Sequence, residues 1–249
     1  DYISGSLILA EHESNPASAS LAEAEAAFKR AGETLGKAAA KEDARFKPLA
    51  LLGLARTYAL RGDLGSVKDA LQWLEKEQGP VTLAGGARIF LVLAKRVESK
   101  EAKVQAFGLA RKTLQALLRL KDLSDALRQD GSYLLGTAQL ALGDLELSEA
   151  AHKEAVKSFA EAEKAGLKSE RLYERWAEAY DRTGKIIRAA QLFRNAYELA
   201  PSPSTCLRAV EYYLNANPTS PEARSLLAEG KERFRDSKEI QKKYQEVFK

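Results

Sequence analysis

The sequence predicts an all-α chain, a solenoid of about six antiparallel helix pairs followed by a C-terminal capping helix. Three observations predict it. Apolar and small residues recur at i, i+3, i+4 and i+7 in short stretches interrupted by Gly or Pro, the pattern of a helix with one buried face. The same ordered set of residues returns at a spacing of about 34, and a period of that size marks stacked repeats. Strand-like alternation flanked by hairpin dipeptides does not occur.

The clearest unit, 170–203, sets the register for the rest. Tyr173, Trp176, Ala177 and Tyr180 form one helix face, Gly184 breaks the helix, and Ala189, Leu192, Phe193 and Ala196 form the next. Pro201 stops that second helix because proline has no N–H to donate. From the N-terminus, unit 1–47 places Gly5, Leu9 and Ala10 before Ala24, Phe28 and Ala31. Unit 48–81 carries Leu51, Leu54, Ala55, Tyr58 and Gly62, then Leu71 and Leu74 and a Gly-Pro stop, with Val67 where a small residue is expected. In unit 82–123 the register is degenerate, with Ala87, Ala106 and Ala110 at the small positions. Unit 124–169 repeats the N-terminal variant: Gly136, Leu140 and Ala141 precede Ala155, Phe159 and Ala162 at the same offsets. Both copies carry seven more residues between the faces than 170–203, about two helical turns, so the helices lengthen and keep their stripes. Unit 204–236 splits at Asn217 and Pro218, and 237–249 reads as a polar cap for the last exposed face.

Aromatic, large apolar plus small, aromatic, Gly, Ala, aromatic, Ala, Pro is an order that resembles the tetratricopeptide repeat. The resemblance spans nearly the whole chain and is strongest at 170–203. It implies a right-handed superhelix whose concave groove, lined by the first helix of each pair, binds a peptide or helix of a partner protein. On that expectation the groove side chains include Arg56, Tyr133, Arg171, Glu174 and Glu178. The presumed groove face of 48–81 reads Leu49, Leu52, Arg56, Ala59 and Leu60; that of 124–169 reads Asp130, Tyr133, Thr137, Leu140 and Ala141. Some members hold a C-terminal carboxylate with Lys, Arg and Asn from adjacent first helices. No Asn falls on these faces, which counts against that mode.

Composition narrows the class. With 249 residues, 45% hydrophobic and 30% charged, the chain is too apolar for disorder and long enough for a continuous core. The longest apolar run, IFLVLA at 89–94, is far short of the ~18 residues a membrane span needs. The start at Asp1 without methionine suggests a piece of a longer protein, so an accessory or sensor region of a larger enzyme or membrane-anchored assembly is the competing class. Compartment, cytoplasmic or extracytoplasmic, and oligomeric state are left open.

Catalytic, metal and cofactor chemistry finds little support. His12 and His152 form no i, i+4 metal pair and are expected as helix-surface imidazoles. Cys206 reads as a half-buried packing thiol. Glu174 and Glu178 stand one helical turn apart, as an acid and base would, but alternating charge on a solvated helix explains them. Gly85 and Gly86 lack phosphate-loop spacing and are expected in a loosened turn between units. Trp73 and Trp176 lie on the apolar stripes and are assigned to the core.

Charge is uneven along the chain. Residues 88–121 hold nine Lys or Arg against Glu98 and Glu101, a net +7, which leaves −3 for the remainder of a +4 chain. Arg88, Lys95, Lys103, Arg111 and Lys112 are the candidate basic patch for an acidic partner. Aromatic residues do not alternate with these cations as stacking on a single strand requires, so nucleic acid is a minor candidate.

Overall fold

The computed structural model describes residues 6–7, 9–12, 20–37, 47–72 and 79–248. All regular structure among them is helical: α1 (Leu21–Lys37), α2 (Lys47–Leu60), α3 (Leu64–Leu71), α4 (Pro80–Arg96), α5 (Lys100–Leu118), α6 (Asp125–Glu146), α7 (Glu149–Lys164), α8 (Glu170–Arg182), α9 (Ile186–Leu199), α10 (Pro203–Ala216), α11 (Pro221–Arg233) and α12 (Lys238–Val247). Gly5, Trp73 and Leu74, assigned above to apolar stripes, lie outside the described residues.

The helices begin at a repeated chemical signal. Ser99, Ser148, Ser169, Ser202, Ser220 and Ser237 each precede a helix, and each hydroxyl accepts from the backbone N–H three residues on; Asp63 does the same with its carboxylate. These side chains satisfy N–H groups that have no partner inside the helix, and each such cap contributes about 1 kcal/mol. Gly62, Gly166 and Gly184 close the turns at φ of 75°, 101° and 72°, where any Cβ is strained.

Two expectations are corrected here. Gly79 and Pro80, expected as a helix stop, begin one: Gly79 is the N-cap and Pro80 the first residue of α4, the helical position where a missing N–H costs least. Gly85 and Gly86 are not in a turn but in the second turn of α4. A Cβ at Gly85 would stand 3.0 Å from Cδ1 of Leu52 on α2, so this glycine lets two helices approach.

The chain forms two compact units, Asp1–Leu127 and Arg128–Lys249, whose boundary falls within α6. In the first, α2 packs on α1, α3 and α4, and α4 packs on α5. Ala24 and Phe28 are buried with Leu9, and Leu54 and Leu60 of α2 pack against them. Ala87, Ala106 and Ala110 are fully buried, as the register predicts. Ala10, placed on the stripe by the sequence, is exposed.

In the second unit one continuous core runs from Leu140 to Ile240, with α8 on α7 and α9, α10 on α9 and α11, and α12 on α11. Tyr173, Trp176, Ala177, Ala189, Leu192, Phe193 and Ala196 all lie in it, and Tyr180 is half-buried against it. Hydroxyls tie neighbouring helices across the layers: Tyr173 donates to Glu163 of α7 at 2.8 Å and Tyr197 to Glu229 of α11 at 2.9 Å. Ile240 is fully buried and Tyr244 and Val247 pack partly buried beside it, so α12 covers the last apolar face.

Trp176 is 9% exposed and its ring stacks on Tyr180 at 6.1 Å, but among the described residues its buried Nε1–H has no acceptor. Volume and polarity therefore act in opposite directions at this position. Trp176→Ala should lower unfolding stability by about 3–5 kcal/mol, the range for large-to-small core changes. Trp176→Phe keeps most of the volume and removes the orphan donor, so it should cost no more than about 1.5 kcal/mol. Chemical unfolding of the two variants checks this; equal losses would mean that the indole N–H, not the ring, holds the site.

Candidate functional site

The first unit builds a cleft from two equivalent helix faces. Leu49, Leu52, Gly53 and Arg56 on α2, and Gly85, Arg88, Ile89 and Val92 on α4, each follow the i, i+3, i+4, i+7 rule and stand side by side. With Ser6, Leu9, Ala10 and Phe28 they enclose about 500 Å³. The ring of Phe28 lies against Gly53, its Cε1 only 2.3 Å from where a Cβ would be. The result is an apolar floor with two exposed arginines, Arg56 and Arg88, one on each helix. Ala59, expected on this face, is fully buried in the core side of α2.

The second unit's first helices carry a network of charges. Arg208 of α10 donates from Nη1 to Glu174 at 2.8 Å and from Nη2 to Glu178 at 3.2 Å, and its guanidinium lies 4.5 Å over the ring of Phe193. Arg175 also reaches Glu178 at 2.8 Å. One helix back, Arg182 donates from Nε to Asp144 Oδ1 at 2.7 Å, and Nε2 of His152 stands 3.2 Å from the same oxygen. Glu174 and Glu178 therefore join consecutive helices and are not arranged as an acid and base pair. Arg171 is exposed, while Tyr133 is half-buried with its ring 6.0 Å from that of Phe159. Leu140, read above on the groove face, is in the core.

The cations of 88–121 do not form one patch but divide between α4 and α5. Arg88 lines the α2/α4 cleft, Lys95 is exposed further along α4, and Lys103, Arg111 and Lys112 belong to α5. Arg111 and Lys112 meet Lys68 of α3, a cation outside the segment that the sequence singled out. Helical phase, not sequence proximity, decides these groupings.

His152 corrects a surface expectation. It is buried, at 7% exposure, because Gly143 of α6 leaves room for the imidazole: a Cβ there would stand 2.2 Å from its Cδ2. Cys206 is fully buried, with its Sγ 3.7 Å from the Leu226 carbonyl, and burial first, then the charge of Glu229, pushes the thiol up to about 11. A thiol so protonated and enclosed is a poor nucleophile. Among the described residues no three His, Cys, Asp or Glu are placed to hold a metal ion, and no helix is long and apolar enough to cross a membrane.

No family model matches the chain, and no curated protein matches it. Solved structures do. The C-terminal part of a TPR repeat-containing protein from Cytophaga hutchinsonii superposes at a TM-score of 0.62 and 12% identity, over 95% of this chain and 80% of that one. A thermophilic TPR protein of Thermus thermophilus is similar at a TM-score of 0.44 and 19% identity, over 90% of this chain and 98% of that one. An assembly chaperone of RpL4 is similar at 0.47 and 16%, over 98% and 95%. The fold is a divergent tetratricopeptide-like, all-α helical repeat. Such repeats form scaffolds whose extended surfaces commonly serve protein–protein interaction.

The buried phenols make alkaline stability informative. Burial first, and then the acceptor carboxylates Glu163 and Glu229, push Tyr173 and Tyr197 up to about 12. A raised folded-state pKa gives stability that is complete below the unfolded value near 10 and is lost as pH rises through about 12. Unfolding stability should therefore fall between about pH 10 and 12. Tyr173→Phe and Tyr197→Phe should each flatten that fall. A double variant with the wild-type alkaline profile would contradict the assignment.

Proposed function

We propose that the chain is a non-catalytic scaffold that docks a peptide or helix of a partner protein in the α2/α4 cleft. The observation that supports this most is the pair of matched faces, each apolar at three positions and cationic at one, around about 500 Å³. Apolar anchors seated on Leu49, Leu52, Ile89 and Val92 would give affinity, because they leave water on docking. Arg56 and Arg88 would set register, since guanidinium groups grip carboxylates in a fixed two-point geometry and are frequent energetic anchors at interfaces. The preferred segment is thus apolar with acidic residues spaced to meet both arginines.

In the second unit the corresponding role falls to Arg171 and the accessible edge of Tyr133. Glu174 and Glu178 would contribute to a partner only by exchanging Arg208 for a cation of that partner, which makes them selective against segments without one.

Affinity purification with the wild-type chain and with Arg56→Glu/Arg88→Glu tests the cleft. Exposed substitutions usually change stability by less than about 0.5 kcal/mol each, so the thermal midpoint should hold. Binding of the protein recovered with the wild type should fall at least tenfold, equivalent to about 1.4 kcal/mol. A second variant, Lys103→Glu/Arg111→Glu, both on α5 and outside the cleft lining, should bind that partner within threefold at physiological salt, where exposed charges are strongly screened. Retention of the partner by the arginine variant would refute the cleft as its docking site.

A further inference from the structure

Five glycines of these helices are accounted for by packing, and Gly108 is not. A Cβ at Gly53 would meet Phe28, at Gly85 Leu52, at Gly136 Phe159, at Gly143 His152 and at Gly230 Cys206, all at 3.0 Å or less. Gly108 sits in the middle of α5, and a Cβ there would meet nothing within 4 Å. A mid-helix glycine is less favourable than alanine, and among the described residues no neighbour requires it.

Gly108 lines a second cleft, separate from the α2/α4 cleft, between α3 and α5. Its mouth is formed by Lys68, Gln105, Arg111, Lys112 and Gln115, all exposed, and Lys68 donates to Gln105 at 3.1 Å. Lys68, Leu109 and Lys112 continue into a cavity of about 570 Å³ floored by Leu71, Leu83, Phe90 and Ala116. Among the described residues, three cations stand around the two connected spaces against one carboxylate, Asp69.

We propose that this cleft is a second docking surface, for an acidic segment of a protein partner whose backbone packs directly on α5 at Gly108. The two observations are independent. The missing Cβ admits a main chain or a small side chain closer to the helix axis than any other residue allows, the same use the protein makes of glycine between its own helices. The cation surplus selects the sign of what approaches, by favourable encounter with Asp or Glu and repulsion of basic segments. Leu109 and the apolar floor receive one or two large apolar side chains of the segment, in a space of the size that encloses such groups. The functions divide accordingly: the α2/α4 cleft grips a segment through arginines, and the α3/α5 cleft receives another through close backbone approach.

The probe is a library of random peptides of about 16 residues displayed on phage, long enough for four helical turns, selected on the whole chain at about 50 mM salt, where screening is weak. Enriched peptides should be net negative with one or two large apolar residues. A synthesised winner should bind at least tenfold more weakly to Gly108→Leu and to Lys68→Glu/Lys112→Glu, and as well to Arg56→Glu/Arg88→Glu as to wild type. Leucine is a strong helix former, so Gly108→Leu blocks the approach without weakening α5. Gly108→Ala should raise the thermal midpoint by about 2 °C, since alanine is the better helix former and nothing crowds it, and should itself weaken the peptide. Enrichment of neutral or basic peptides, absence of enrichment, or winners that bind Gly108→Leu as tightly as wild type would each overturn the proposal. Loss of binding on the arginine variant alone would assign those peptides to the α2/α4 cleft and likewise overturn it, leaving the first docking reading intact.

Discussion

The structure depends on helices coming closer together than ordinary side chains permit. At Gly53, Gly136, Gly143 and Gly230 a side chain of the facing helix fills the volume a Cβ would take, and fully buried alanines do related work along α1, α2, α7, α8, α9 and α10. Short interhelical distances place apolar atoms in dispersion contact, which falls off steeply with any gap. The rings of Phe28 and Phe159 then fill the space left open at Gly53 and Gly136. Short helices of 8 to 22 residues become stable in this way through their neighbours rather than through their own propensity.

The same constraint distributes function. Because small residues and aromatic rings occupy the inward faces, the outward faces of successive first helices are left to polar chemistry, and the two units use them differently. In the first, α2 and α4 present an apolar floor and two arginines. In the second, Arg208 and Arg182 cross from one helix to the next and close their carboxylates into a lattice. Half-exposed pairs like these contribute little to stability, so their consequence is mainly to fix which charges a partner meets.

Much of this was legible in the residues. The stripe from Tyr173 to Ala196 follows from helical periodicity, and Ala87, Ala106 and Ala110, the small positions read in the degenerate unit, are all buried. The capping serines were legible too, at Ser99, Ser148, Ser169, Ser202, Ser220 and Ser237, whereas α4 starts at Gly79 without a side-chain cap and offered no such signal. What the sequence hid were pairings across long separations. Arg208 reaches Glu174 across 34 positions, and Lys68 reaches Gln105 across 37. His152 reads as exposed until Gly143, nine residues earlier, is seen beneath its ring. The basic segment looked like one patch because charge was counted along the chain, whereas residues on the two sides of a helix pair face different clefts.

Close approach makes a prediction opposite in sign to helix propensity, and Gly136→Ala measures it. A Cβ at this position would stand 2.7 Å from Cδ1 of Phe159, whereas alanine in a helix is otherwise preferred to glycine by about 1 kcal/mol. The account predicts a net loss of about 1–3 kcal/mol in unfolding stability for Gly136→Ala, the range for overpacking. In a double-mutant cycle with Phe159→Leu, it predicts that the alanine loss largely disappears once the ring is gone, a coupling of at least about 1 kcal/mol. A Gly136→Ala protein more stable than wild type, with no coupling to Phe159, would contradict the claim that glycine-to-ring contact sets the spacing of the helices.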